Sequence, residues 1–451
     1  MFRGLSEKYT SSPADRDLPV EEAEATGINA NQAQPRLYRV IWRWHFYAGL
    51  LVLPVLVVVA LTGALLVFRE ELERKFNADM LTVEPQPQRV SYDVQLANAT
   101  RTAPSDARAT AMVVRGNPTL ATQFAFFTKD GRNLNIFVNP YTGAEQGSFL
   151  YGTSMFDLIL FIHRRLVGGT IGRIVVELAT SWGVILAITG LYLWWPRGRD
   201  RVSGVLLPRV RGKRYLVWRD WHVVPGFYVS VLAILVMATG LFYTMLFGRN
   251  YQRMMDVTKT NPPSQANPPK SIGQGSDAPL PLDEVIAIIK RTQPAPEFYL
   301  DLPNKKDDSF YVYAGSSDHP STLSQFYVDQ YSGKVMGFAN WQQLSGPHKI
   351  QLMAYPIHVG SLYGWPTKIL ALLVCLLIVT MGVTGATMWW IRRPAQKTGF
   401  PQKPKDVQPP KWLIGVIALL GILMPAAGIS MLAIITGDWL GQLYKRRFRI
   451  N

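Results

Sequence analysis

The sequence predicts an α-helical membrane protein in which a duplicated helix–domain–helix unit builds a four-helix bundle. Two small α+β domains lie outside the membrane, and a fifth hydrophobic segment closes the chain. Three observations predict this. Apolar runs of about 20 residues, long enough to cross a hydrocarbon core, alternate with polar stretches. Short motifs recur in the same order in both halves. Basic residues cluster in short loops beside the apolar runs, as expected of the cytoplasmic side.

The 451 residues are 48% hydrophobic, and the apolar residues are segregated into runs rather than blended. A formal net charge of +16 would suggest nucleic acid as a partner of a soluble chain. Its clustering beside the apolar runs assigns it to membrane topology instead, so lipid is the expected partner and nucleic acid is not. The single cysteine, Cys375, excludes an internal disulfide, a cysteine zinc site, an iron–sulfur cluster and c-type haem attachment. It lies in an apolar run and reads as a packing residue.

The elements follow in chain order. Residues 1–37, with Glu21, Glu22 and Glu24, read as a disordered cytoplasmic tail. The first span falls within 38–68 and would act as an uncleaved signal anchor. Residues 69–155 form the first outer domain, and 156–195 an interfacial helix and the second span. The loop 196–219 carries Arg197, Arg199, Arg201, Arg209, Arg211, Lys213, Arg214 and Arg219. The third span is 220–247, the second outer domain 248–350, and the fourth span with its interfacial segment 351–391. The loop 392–411 holds Arg392, Arg393, Lys397, Lys403, Lys405 and Lys411. Both basic loops, and hence the N-terminus, are expected on the cytoplasmic side. In 412–451, a single crossing over 412–437 is the expected form. It would place Lys445, Arg446, Arg447 and Arg449 outside, against the charge rule, and Pro425 leaves a re-entrant hairpin open.

The duplication rests on three motifs. Trp44-His45-x-x-x-Gly49 at the first span matches Trp221-His222-x-x-x-Gly226 at the third, and both reach Thr-Gly eighteen residues after the histidine, at Gly63 and Gly240. Ile162-His163 matches Ile357-His358, with Thr-Gly twenty-seven residues on, at Gly190 and Gly385, before Trp194-Trp195 and Trp389-Trp390. In the outer regions, Val138-Asn-Pro-Tyr141-Thr-Gly143 matches Val328-Asp-Gln-Tyr331-Ser-Gly333, each a strand running into a turn. A parallel duplication implies a pseudo-two-fold axis along the membrane normal.

Histidines at a membrane are costly and call for a reason. Four histidines hydrogen-bonded separately within the bundle would be one. Their duplicated positions favour ligation. The axis would bring His45 to His222 near the cytoplasmic face and His163 to His358 near the outer face. Two imidazoles make a poor zinc site. Iron in a porphyrin brings four nitrogens and needs only two axial ligands, so two bis-histidine b-type haems fit the count. Eighteen residues is five helical turns, so Gly63 shares a face with His45 and Gly240 with His222, roughly 27 Å away. Such bare backbone would let the edge of the second haem approach, or would serve helix packing. Arg164, Arg165 and Arg173 flank His163 and would pair with haem propionates or simply reach the interface. His319 and His348, without counterparts in the other half, read as exposed loop residues, with a ligand or substrate contact open to His348.

Ile162-His163-Arg164-Arg165-Leu166 with Gly169, Gly172 and Arg173, the Trp-His-x-x-x-Gly openings, the Thr-Gly helix ends and the Tyr-Thr/Ser-Gly strands resemble the PepSY-associated transmembrane proteins of the bacterial inner-membrane ferric-siderophore reductase type, over roughly residues 38–395. The resemblance implies PepSY-like periplasmic domains and a di-haem b protein that reduces a ferric siderophore to release ferrous iron. It carries the ligand role onto His45, His163, His222 and His358. No G-x-G-x-x-G follows a strand, so quinol or a separate cytoplasmic reductase is expected to donate the electrons. The alternatives are a membrane-anchored binding or regulatory module without enzymatic activity, and an iron or siderophore transporter, for which Glu177 is the only acid near the second span.

Overall fold

A computed structural model describes residues 36–196, 204–262, 268–273, 278–396, 398–401 and 411–448. The N-terminal tail, including Glu21, Glu22 and Glu24, lies outside the described residues, as do Arg197, Arg199, Arg201, Lys397, Lys403, Lys405 and Arg449.

Among the described residues, four helices are long and apolar enough to cross a membrane: α1 (Arg36–Leu66), α6 (Gly169–Trp194), α7 (Arg214–Leu241) and α11 (Trp365–Arg392). They close a ring. Both α1 and α7 pack on α6 and on α11, so α1 and α7 face each other across the bundle. Val184 of α6, Val229, Ala233 and Met237 of α7 and Val374 of α11 fill part of its centre. Short helices α2 (Arg69–Phe76) and α3 (Ala78–Leu81) follow α1.

The third span ends sooner than residue 247. After Leu241 the chain turns and starts α8 (Leu246–Val257). Glu177, fully buried on α6, explains the turn: its carboxylate oxygens accept from Leu246 N at 2.7 Å and Phe247 N at 2.8 Å, capping the new helix. The first N–H groups of a helix have no partner within it, and an anion there stabilises it.

Each half carries one helix and four strands above the bundle. The first set is α4 (Tyr92–Thr102), β1 (Arg108–Val114), β2 (Thr122–Phe127), β3 (Asn133–Val138) and β4 (Glu145–Leu150). The second is α9 (Leu282–Thr292), β5 (Phe298–Asp301), β6 (Phe310–Ala314), β7 (Ser324–Val328) and β8 (Val335–Asn340). The two expected outer regions share one sheet. The strands form one eight-stranded antiparallel sheet, ordered β4-β3-β2-β1-β5-β6-β7-β8. β1 and β5 pair across the centre, with Met112 opposite Leu300. An edge strand left bare in each half would expose unpaired backbone, and this pairing satisfies both. The helices are tied at the same junction. Asp283 accepts from Tyr92 N and Asp93 N, while Asp93 accepts from Leu282 N and Asp283 N, so each aspartate caps the other half's helix. The duplicated Tyr-x-Gly turns are hairpins: the Asn139 and Asp329 side chains each accept two backbone N–H groups of their turn, and Gly143 and Gly333 take positive φ.

Alternation along the strands gives the sheet two unlike faces. Phe124, Phe126, Ile136, Val312 and Phe326 face α4 and α9 in a common core. Gln123, Asn135, Tyr311 and Tyr313 lie on the opposite face, over the helices.

Two short helices join the sheet to the bundle: α5 (Met155–Arg165) before α6, and α10 (Gly346–Val359) before α11. The α5–α6 corner is tight. Leu166 and Val167 take positive φ, and a Cβ on Gly172 would lie 1.7 Å from Arg165 O. No other residue fits there without moving the backbone.

The C-terminal segment differs from the expected single crossing. It forms α12 (Lys411–Leu423) and α13 (Pro425–Phe448). Proline cannot bond back to residue 421, and the chain bends until a Cβ on Gly421 would lie 3.1 Å from Gly428 Cα. Ala427 and Met431 at the corner pack beside Trp182 of α6, whose Nε1 donates to Ser430 Oγ at 3.1 Å.

Candidate functional site

The structure brings the four duplicated histidines together as two facing pairs. His45 on α1 and His222 on α7 have ring centroids 6.5 Å apart, with perpendicular planes. His163 on α5 and His358 on α10 have centroids 6.1 Å apart. A metal–nitrogen bond of roughly 2 Å to each ring, with half an imidazole at either end, spans about 6 Å. Both separations admit one metal ion between two rings.

The hydrogen bonds decide which nitrogen faces the gap. His163 Nδ1 lies 2.9 Å from Val59 O, and His358 Nδ1 lies 2.8 Å from Val236 O. A carbonyl only accepts, so both rings carry their proton on Nδ1. His45 Nδ1 lies 2.9 Å from Thr189 Oγ1, and His222 Nδ1 lies 2.9 Å from Thr384 Oγ1. Each threonine hydroxyl donates to a carbonyl of its own helix, Ile185 O at 2.8 Å and Thr380 O at 2.7 Å. The threonine oxygen is then left to accept, and the proton again sits on Nδ1. Among the described residues no partner takes any of the four Nε2 lone pairs, which leaves them to ligate, with the Nδ1–H held by an acceptor as metal-bound histidines require. Burial, with His358 beside it, pushes the His163 pKa down to about 4, and burial likewise lowers that of His358, so both rings are neutral. This donor set fits iron in a porphyrin.

The glycines of the Thr-Gly pairs are sockets for these rings; the sequence showed the pattern, threonine before all four, without the ring each would meet. An added Cβ would stand 3.1 Å from His163 Cε1 at Gly63 and 2.7 Å from His358 Cε1 at Gly240. It would stand 3.4 Å from His45 Cε1 at Gly190 and 3.5 Å from His222 Cε1 at Gly385. The bare backbone of each span thus meets the imidazole of the neighbouring helix in its own repeat.

Between the His163–His358 pair and the sheet lies a cavity of about 1270 Å³, lined by His163, His358, Gly63 and Gly240 on one side and by Gln123 and Asn135 of the sheet on the other. It exceeds the roughly 300–1,000 Å³ of a single small-molecule site, so it has room for a cofactor and a second ligand. Arg164 lines it, with Arg69, Arg74, Arg115 and Lys368. Arg173 is half-buried on α6 and is not among the lining residues, and Arg165 stacks on Phe161 at 3.8 Å. His319 is exposed. His348, expected in solvent, is only 4% exposed. Asp220, opposite Arg43 in the duplication, pairs with Arg209 and Arg219 and pins the basic loop to α7.

Four membrane-crossing helices with two facing pairs of half-buried imidazoles, beneath a sheet assembled from both repeats, define a duplicated integral membrane protein. The chain belongs to the PepSY-associated TM region family, whose model matches residues 42–392. No curated protein matches it significantly.

Proposed function

We propose that the chain is a bacterial inner-membrane electron-transfer protein that holds two b-type haems and reduces ferric siderophores in the periplasm, releasing ferrous iron. The observation that carries this reading is the pair of facing imidazole sites with every Nδ1–H committed to an acceptor. Haem bound there would supply one-electron exchange. His45 with His222, and His163 with His358, would hold it. Thr189, Thr384, Val59 and Val236 orient the four rings. Arg164 stands where it would meet propionates or an anionic chelate. The sheet roofs the His163–His358 pair and leaves room for the chelate, and in this reading the cavity end is the periplasmic one. The loop holding Arg209 then faces the cytoplasm, where quinol or a separate reductase would deliver electrons. No proton transfer by a side chain is needed: a lower charge on iron weakens an oxygen-rich chelator's hold. The transporter alternative loses its acid, because Glu177 is occupied in capping α8.

The test is to reduce the purified protein in detergent with slightly less dithionite than full reduction needs, so that none remains, and add a ferric siderophore with a ferrous trap. Reoxidation of the visible bands with matching formation of the trapped ferrous complex is expected. A reduced spectrum that persists would remove the substrate assignment.

The threonine contacts predict a split between the sites. Thr189→Val removes the hydroxyl beside His45 Nδ1, and the inner site is expected to bind its cofactor about tenfold more weakly, with a raised midpoint potential. Thr62→Val changes little at the outer site, because Val59 O still accepts from His163. A redox titration of both variants checks the difference.

A further inference from the structure

His348 has a role that the haem-site reading does not use. It sits in the first turn of α10, nearly three turns before His358, and is nearly as buried as the core. Among the described residues, neither ring nitrogen has a hydrogen-bond partner. A buried imidazole with two unpaired polar atoms costs stability, whereas each of the four paired, half-buried histidines has its Nδ1 held. Burial lowers the His348 pKa, so the ring is neutral and offers one donor and one acceptor.

The ring lines a second chamber of about 460 Å³, within the range of a small-molecule site. Tyr313 of β6 projects into it from the sheet, Gln252 from α8 and Gln351 from α10. Tyr243 and Tyr355 line both this chamber and the large cavity, so the two adjoin. The Tyr243 ring is 6.3 Å from that of His358. Among the described residues, no Asp, Glu, Lys or Arg lines the second chamber. The large cavity has charges of both signs on its wall, so the contrast is local.

We propose that this chamber is a binding site for an uncharged ligand bearing amide or hydroxyl groups, and that His348 is its specificity-determining contact. Phenols, carboxamides and a neutral imidazole match amide and hydroxyl groups with donors and acceptors. They give a carboxylate or catecholate no countercharge, and desolvating such an anion among them is costly. As a chelate site the proposal rests on the ferric-reduction reading. As a binding site it does not.

The test uses gallium(III), which does not change oxidation state under these conditions, so binding is read apart from electron transfer. The full chain in detergent is titrated by intrinsic fluorescence with a neutral gallium trihydroxamate and with an anionic gallium tricatecholate. The neutral complex is expected to saturate the protein, at least about tenfold more tightly than the anionic one. His348→Leu is expected to weaken it about tenfold, and Tyr313→Phe to weaken it less. His348→Gln, which keeps a donor and an acceptor, should stay within about threefold of the parent. Equal binding by His348→Leu and the parent would overturn the proposal, as would equal binding of the two complexes or no saturable binding of the neutral one. His348-dependent binding in a chain that then fails to reduce the ferric complex would leave the site standing and remove the reduction reading alone.

Discussion

Gly240→Ala is expected to lose the outer cofactor while keeping the inner one. The added methyl would stand 2.7 Å from Cε1 and 3.0 Å from Nδ1 of His358, too close for nonbonded atoms. The ring cannot retreat without leaving Val236 O, its Nδ1 acceptor at 2.8 Å, or closing the gap to His163. Overpacking of this kind costs about 1–3 kcal/mol, and here it falls on ligand geometry. Gly63→Ala, at 3.1 Å from His163, is expected to show a milder loss. Gly190→Ala and Gly385→Ala, at 3.4 and 3.5 Å, should keep a full complement. Haem per chain in the four variants checks the order. Equal content in all four would contradict the socket role.

Glu177→Ala is the second large effect. It strips both acceptors from Leu246 N and Phe247 N in a place closed to solvent. Leaving such donors unpaired costs about 3 kcal/mol. The damage is expected to spread from α8 to its neighbour Tyr243, which stands beside His358. A clear fall in the thermal midpoint in detergent is the expected result, with Glu177→Gln intermediate because its amide oxygen still accepts. An unchanged midpoint in Glu177→Ala would show that the cap carries no stability.

The sequence made the four spans legible because lipid enforces length and apolarity on each helix separately. It also pointed to the histidine pairs, because a duplication states its own symmetry. The reach of each Thr-Gly pair was hidden, since eighteen residues along one helix say nothing about which neighbour's ring arrives there. Threonine at all four positions was visible as a pattern without a partner. The β1–β5 junction was hidden for a similar reason: Met112 and Leu300 read only as alternating core residues, and strand order across a duplication is a matter of edges. His348 misled because a polar stretch near a loop reads as exposed, whereas Ser345 starts a helix there that buries it. Pro425 signalled the C-terminal corner, but the charge of the tail could not be weighed against it.

The central claim is that these four histidines hold two haems as two separate pairs. The most direct measurement is a pyridine haemochrome count, with visible spectra before and after dithionite, on the parent, His45→Ala and His163→Ala proteins from haem-replete cells. The claim predicts low-spin b-type spectra, two haems in the parent and one in each variant, with different bands lost. A parent protein without haem, or variants that keep both, would contradict it.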